Sequence, residues 1–97
     1  MGGLGVKAII TRVETVRKGD VFQEVKFGEP MDWVLRVSFQ SVEGDVETGE
    51  VVRGWEVFNL SRHPDSKLSR FIGVYGAPVR GLIVDVEFSG GFWRIKL

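Results

Sequence analysis

Hydrophobic and polar positions alternate along most of this chain, and the alternation breaks at glycines, prolines or an acidic run. From Val6 to Val16 the apolar positions begin in one phase, at Val6, Ala8 and Ile10, and change to the other at Val13. Successive side chains of a strand point to opposite faces, so a change of phase predicts a bulge or bend inside a first strand. Arg17-Lys18-Gly19-Asp20 reads as a turn, and Val21, Gln23, Val25 and Phe27 alternate weakly up to Gly28-Glu29-Pro30, as a strand or an ordered loop. The clearest strand is Asp32 to Ser41: Trp33, Leu35, Val37 and Phe39 are expected to face a core, with Val34, Arg36, Ser38 and Gln40 outward. The acidic connection Glu43 to Glu50 is expected to be a solvated hairpin loop that tolerates shortening. A third strand runs from Glu50 to Leu60, with Phe58 and Leu60 inward and Arg53, Trp55, Val57 and Asn59 outward.

The period changes next. Leu68, Phe71, Ile72 and Tyr75 recur at the spacing that puts all of them on one side of a short helix, expected to close one end of the core. Asp65 or Ser66 can cap its start, and Gly76 with Pro78 can stop it. The chain closes with a hairpin: Leu82, Val84, Val86 and Phe88 alternate against Ile83, Asp85 and Glu87. Gly90-Gly91 turns, and Trp93, Ile95 and Leu97 alternate against Phe92, Arg94 and Lys96.

Three strands, one short helix and two strands is the element order of an all-β, five-stranded OB-fold-type Greek-key barrel with the helix between strands 3 and 4. An SH3-like barrel competes. Its penultimate connection is usually a single 3₁₀ turn, whereas Ser66 to Tyr75 is long enough for two or three helical turns, which favours the OB order. The run Ser66-Lys67-Leu68-Ser69-Arg70-Phe71-Ile72, followed by Gly81-Leu82-Ile83-Val84-Asp85-Val86-Glu87-Phe88 and a closing Gly-Phe-Trp-Arg-Ile strand, resembles the C-terminal half of small OB-fold proteins of phages, plasmids and archaeal mobile elements. The resemblance extends over residues 58–97 and is mainly a pattern of core positions. It implies binding to single-stranded nucleic acid.

A chain of 97 residues fits a single domain with one core, spanning residues 1–97. Without cysteine there is no disulfide, thiolate metal site or cysteine nucleophile. The start, Met1-Gly2-Gly3-Leu4-Gly5, lacks the basic flank and apolar run of a signal peptide, and no apolar stretch is long enough for a membrane span. A cytoplasmic protein without membrane attachment is the expectation. Scarce Asn, Gln and Met, with Arg above Lys in number, point to a hot habitat, against which stands the absence of Lys enrichment.

Net charge is zero, which argues against a duplex-coating protein held by phosphate contacts alone. Residues 1–50 nevertheless carry 6 basic and 9 acidic side chains and residues 51–97 carry 7 basic and 4 acidic, so an anion-binding face is expected to draw on the second half. No enzyme is expected. His63 is the single histidine and stands beside Pro64 as a loop residue, the Asp85 and Glu87 pair reads as the polar side of a strand, and no phosphate-binding Gly-rich loop occurs. No cofactor or metal is implied.

Single-strand binding needs aromatic rings for base stacking interleaved with cations along the phosphates. Arg36 on strand 2, with Arg53 and Trp55 on strand 3, forms a candidate patch of this kind, joined by Arg17 and Lys18 at the end of strand 1 and by Phe92 and Arg94 after the glycine turn. The expected partner is single-stranded DNA or RNA, in a role accessory to replication or repair. The alternative is a protein-interaction or homo-oligomerising module in which Trp55, Val57 and Val34 make an apolar patch.

Overall fold

The change of phase in the first strand is a bulge: in β1 (Gly5–Arg17) the register against the next strand slips between Ile10 and Arg12. Ala8 and Ile10 point into the core before it, and Val13 packs against the same core after it. The structure is a computed structural model and describes residues 5–42 and 51–97; the acidic connection Glu43 to Glu50, and the expectation for it, lie outside the described residues. The Arg17 to Asp20 turn is helical instead: Lys18–Val21 forms α1, a single turn, and the rest of the segment up to Asp32 is a loop. Gly19 N–H donates to Pro30 O at 2.8 Å and Lys18 N–H to Asp32 O at 2.8 Å, which ties the two ends of that loop together.

The remaining elements are β2 (Trp33–Ser41), β3 (Arg53–Asn59), α2 (Lys67–Tyr75), β4 (Ile83–Ser89) and β5 (Phe92–Ile95). All five strands belong to one antiparallel sheet in the order β3-β2-β1-β4-β5. The bent β1 serves both halves, since Gly5 to Ile9 pairs with β4 while Ala8 to Arg17 pairs with β2. Among the described residues no strand ladder joins the outer strands, β3 and β5, but a side chain does: Glu56 Oε1 on β3 accepts a hydrogen bond from the Ile95 N–H on β5. The other oxygen of Glu56 lies 2.6 Å from Lys67 Nζ on α2. No described helix is long and apolar enough to cross a membrane.

The core gathers one face of every strand: Ala8, Ile10, Val37, Phe39, Phe58, Val84, Val86 and Ile95, with Phe71 of α2 inserted among them. Phe71 is fully buried, with its ring 5.5 Å from Phe58 edge to face and 5.1 Å from Tyr75. Ser66 caps the helix, its Oγ accepting from Ser69 N–H at 3.2 Å, and Gly76 ends it with φ 86°, a left-handed conformation that suits glycine. The Tyr75 hydroxyl donates to Lys96 O and accepts from Asp85 N–H at 3.3 Å, so α2 is fastened to the end of the β4–β5 hairpin. Burial pushes this phenol above its ordinary pKa, and the hydrogen bond from Asp85 opposes the shift.

Five expectations about facing are corrected. Trp33 is exposed and Val34 fully buried: Trp33 is the first residue of β2 with its ring under the Arg17 guanidinium at 4.1 Å, and Val34, in the outward phase of β2, is covered without joining the main core cluster. Leu60 is exposed because β3 ends at Asn59, and the strand period no longer places it. Ile72 is exposed: at about 100° per residue it sits on the rim of the stripe that Leu68, Phe71 and Tyr75 centre. Phe88 is exposed because it stands at the hairpin tip, edge to face with its cross-strand partner Trp93 at 5.6 Å.

Candidate nucleic-acid interface

Strand alternation, pinned by the core, decides what the outer face of β2 and β3 presents. With Val37 and Phe39 buried, Ser38 and Gln40 point away from the core; with Phe58 and Glu56 buried, Arg53, Trp55 and Val57 do the same. The ladder sets Ser38 opposite Trp55 and Gln40 opposite Arg53. Between them Phe39 faces Gly54, and a Cβ at residue 54 would lie 2.8 Å from the Phe39 ring. Glycine is required here. Its bare backbone lets the core ring seat beneath β3 and leaves Arg53 and Trp55 on either side, facing outward.

The second wall comes from the hairpin. Gly90 and Gly91 both have positive φ, 62° and 86°, the geometry of a two-residue turn that side chains rarely adopt. This tight turn raises Phe92, which is 67% exposed, and Arg94, whose Nε donates to Ser89 O at 3.2 Å and whose guanidinium lies 6.0 Å from the Phe92 ring. Because Glu56 holds β5 against β3, the two walls face one groove of about 800 Å³. Arg53, Trp55, Phe92 and Arg94 all line it.

Four of the seven residues singled out from sequence are thus brought together, and three are not. Arg36 is on the same outer face, opposite Val57, but its guanidinium is held by Glu14 through Nε at 2.7 Å and a shorter contact from Nη2. Arg17 lies over Trp33 and donates to Met31 O at 2.7 Å, while Lys18 donates to Phe27 O at 2.9 Å. Those two fasten the β1–β2 connection. Val34 is fully buried and cannot belong to an exposed patch with Trp55 and Val57.

The groove also holds residues that sequence reasoning missed: Phe22 from the β1–β2 connection, Phe88 and Trp93 from the hairpin, and Lys67 from α2. Phe88 and Trp93 carry the alternation of core residues. Their only distinguishing signal is adjacency to Gly90-Gly91, where a hairpin tip outruns the core. Glu56 gave no signal. It is a carboxylate in the core phase of β3, 7% exposed, and is made tolerable there by Lys67 and the Ile95 N–H.

Among the described residues the groove therefore combines exposed rings on two walls with Arg53 and Arg94, and Glu56, the one acid on its described lining, is paired with Lys67. Elsewhere, Asp85 is engaged by Lys7 at 2.7 Å, and that hydrogen bond holds the Lys7 ammonium above its ordinary pKa. His63 is an exposed loop residue just before the α2 cap. Among the described residues no group of three or more His, Asp and Glu side chains is placed to hold a metal ion. No protein-family model, curated protein or solved structure matches the chain.

Proposed function

We propose that this chain is a non-catalytic OB-fold-type barrel that binds single-stranded nucleic acid in the groove between β3 and the β4–β5 hairpin. The observation that carries the reading is the convergence of Arg53, Trp55, Phe92 and Arg94, from two separate parts of the chain, on one open groove. Bases have flat faces that stack on such rings whatever their sequence, and the cations beside the rings meet the phosphates. An oligonucleotide threading such a groove requires little net charge on the rest of the surface. The strand order β3-β2-β1-β4-β5, with its outer strands bridged by Glu56, supports a barrel of the OB type, in which strands 2 and 3 and the loops after strands 1 and 4 form the binding face. A role accessory to replication or repair goes with that reading.

Salt-titrated binding of fluorescent single-stranded oligonucleotides tests it. Trp55→Ala is expected to lose about 1 to 3 kcal/mol of affinity with the salt dependence nearly unchanged. Arg53→Ala is expected to weaken binding on every sequence and to lower the log–log salt slope by about 0.7, the value for one phosphate contact on a single strand. The reading fails if Trp55→Ala stays folded and binds as the parent does. If that variant instead converts a dimer to a monomer, a protein-interaction module takes its place.

A further inference from the structure

We propose that the binding path does not end at the aromatic groove but continues past Lys67 into a second, polar cleft that takes the sugar-phosphate backbone of the adjoining nucleotides. The proposal rests on the single-strand reading above. The cleft has a volume of about 350 Å³, and its walls include Asn59, Ser61, His63 and Ser66. Val57 and Lys67 line both cavities, so the two share a wall. The outward residues of β3 run through them in order: Arg53 and Trp55 in the groove, Val57 in both, Asn59 in the cleft. From Arg53 to Asn59 a strand advances roughly 20 Å, so a ligand laid along this side of β3 passes from one cavity into the other.

The chemistry of the two cavities differs. Among the described residues the cleft has no phenyl or indole ring on its walls; it offers hydrogen-bond donors. His63 Nδ1 accepts from Asp65 N–H at 3.1 Å, which places the proton of the neutral ring on Nε2, where it is a donor. Ser61 Oγ accepts from His63 N–H at 3.2 Å and keeps its own proton to give. Asn59 is exposed and carries an amide NH₂. Lys67, on the wall between the two cavities, directs its ammonium to Glu56 at 2.6 Å and to Val57 O at 3.4 Å and lies 4.8 Å from the Phe58 ring. Asp65 also borders the cleft, but its side chain is 92% exposed, so solvent and salt screen its charge from a ligand inside. A cavity of donors fits phosphodiester and ribose oxygens, the acceptors that any nucleotide presents, and lacks a surface for a base to stack on.

The test compares two homo-oligonucleotides by fluorescence anisotropy on the full chain, one of about 4 nucleotides and one of about 10, within the range bound by single domains of this size. The longer ligand is expected to bind more tightly than its extra registers explain. The double variant Asn59→Ala with His63→Ala is expected to weaken the longer ligand about three- to tenfold, the loss of one or two hydrogen bonds, and to leave the short ligand unchanged. His63→Gln, which restores an N–H donor, is expected to recover part of that loss in the Asn59→Ala background. The proposal is overturned if the double variant, folded by its thermal melt, binds the longer ligand as the parent does, or loses both ligands equally. Failure of the unmodified chain to bind either ligand overturns the single-strand reading itself.

Discussion

Replacing Phe71 by alanine is expected to destabilise the fold by about 3 to 5 kcal/mol, measured by denaturant or thermal unfolding. Phe71 is fully buried and is the one α2 residue inside the core, where it meets Phe58 and Tyr75 ring to ring. Truncation removes those contacts and leaves a cavity that five strands fixed by their ladders cannot collapse to fill. For a domain this small each kcal/mol moves the midpoint by roughly 4 to 8 °C, so a shift of about 12 °C or more is expected. Ile72→Ala, one residue away on the rim of the same helix, is the control: the residue is 47% exposed and loss of its side chain is expected to cost under about 1 kcal/mol. Equal effects from the two would mean that α2 does not dock through Phe71.

Glu56→Ala is expected to cost about 2 to 3 kcal/mol, because it leaves the N–H of the buried Ile95 without an acceptor and takes a hydrogen bond to a charged group out of the seam between β3 and β5. The Lys67 partner adds little to this figure. Its side chain is 39% exposed, and water recovers most of what the ammonium loses. Glu56→Gln separates the two contributions, since the amide oxygen still accepts from Ile95 while the NH₂ is set against the Lys67 ammonium, and a cost smaller than that of the alanine variant is expected. A glutamine variant as unstable as the alanine variant would mean that the charge on Lys67, and not the backbone hydrogen bond, holds the outer strands together.

Much of the fold is legible in the sequence because one buried face imposes a period of two. The inward positions Ala8, Ile10, Val37, Phe39, Phe58, Val84, Val86 and Ile95 follow from alternation alone, and so does the outward facing of Arg53, Trp55, Phe92 and Arg94. The misreadings gather where that constraint ends: Trp33 at the start of a strand, Leu60 just past one, Phe88 at a hairpin tip. At such places a hydrophobic residue keeps the phase of the core without having a core to face. The arginines mark a second limit. Alternation puts Arg36 on the outer face, but it says nothing about Glu14, which lies opposite it on β1 and claims its guanidinium. Glu56 is the third, since a buried carboxylate depends on partners from α2 and β5 that only the folded chain brings near.

The three tryptophans offer the most direct test of the groove as the binding face, because each indole N–H gives its own NMR signal and they are differently placed. Trp55 and Trp93 line the groove, whereas Trp33 stands under Arg17, roughly 17 Å along β2 from the Ser38 that faces Trp55. On titration of the isotope-labelled protein with a short single-stranded oligonucleotide, the indole signals of Trp55 and Trp93 are expected to shift together toward saturation while that of Trp33 stays in place. A shift of Trp33 with Trp55 and Trp93 unmoved, or no shift of any indole at saturating oligonucleotide, would contradict the assignment of this groove to single-stranded nucleic acid.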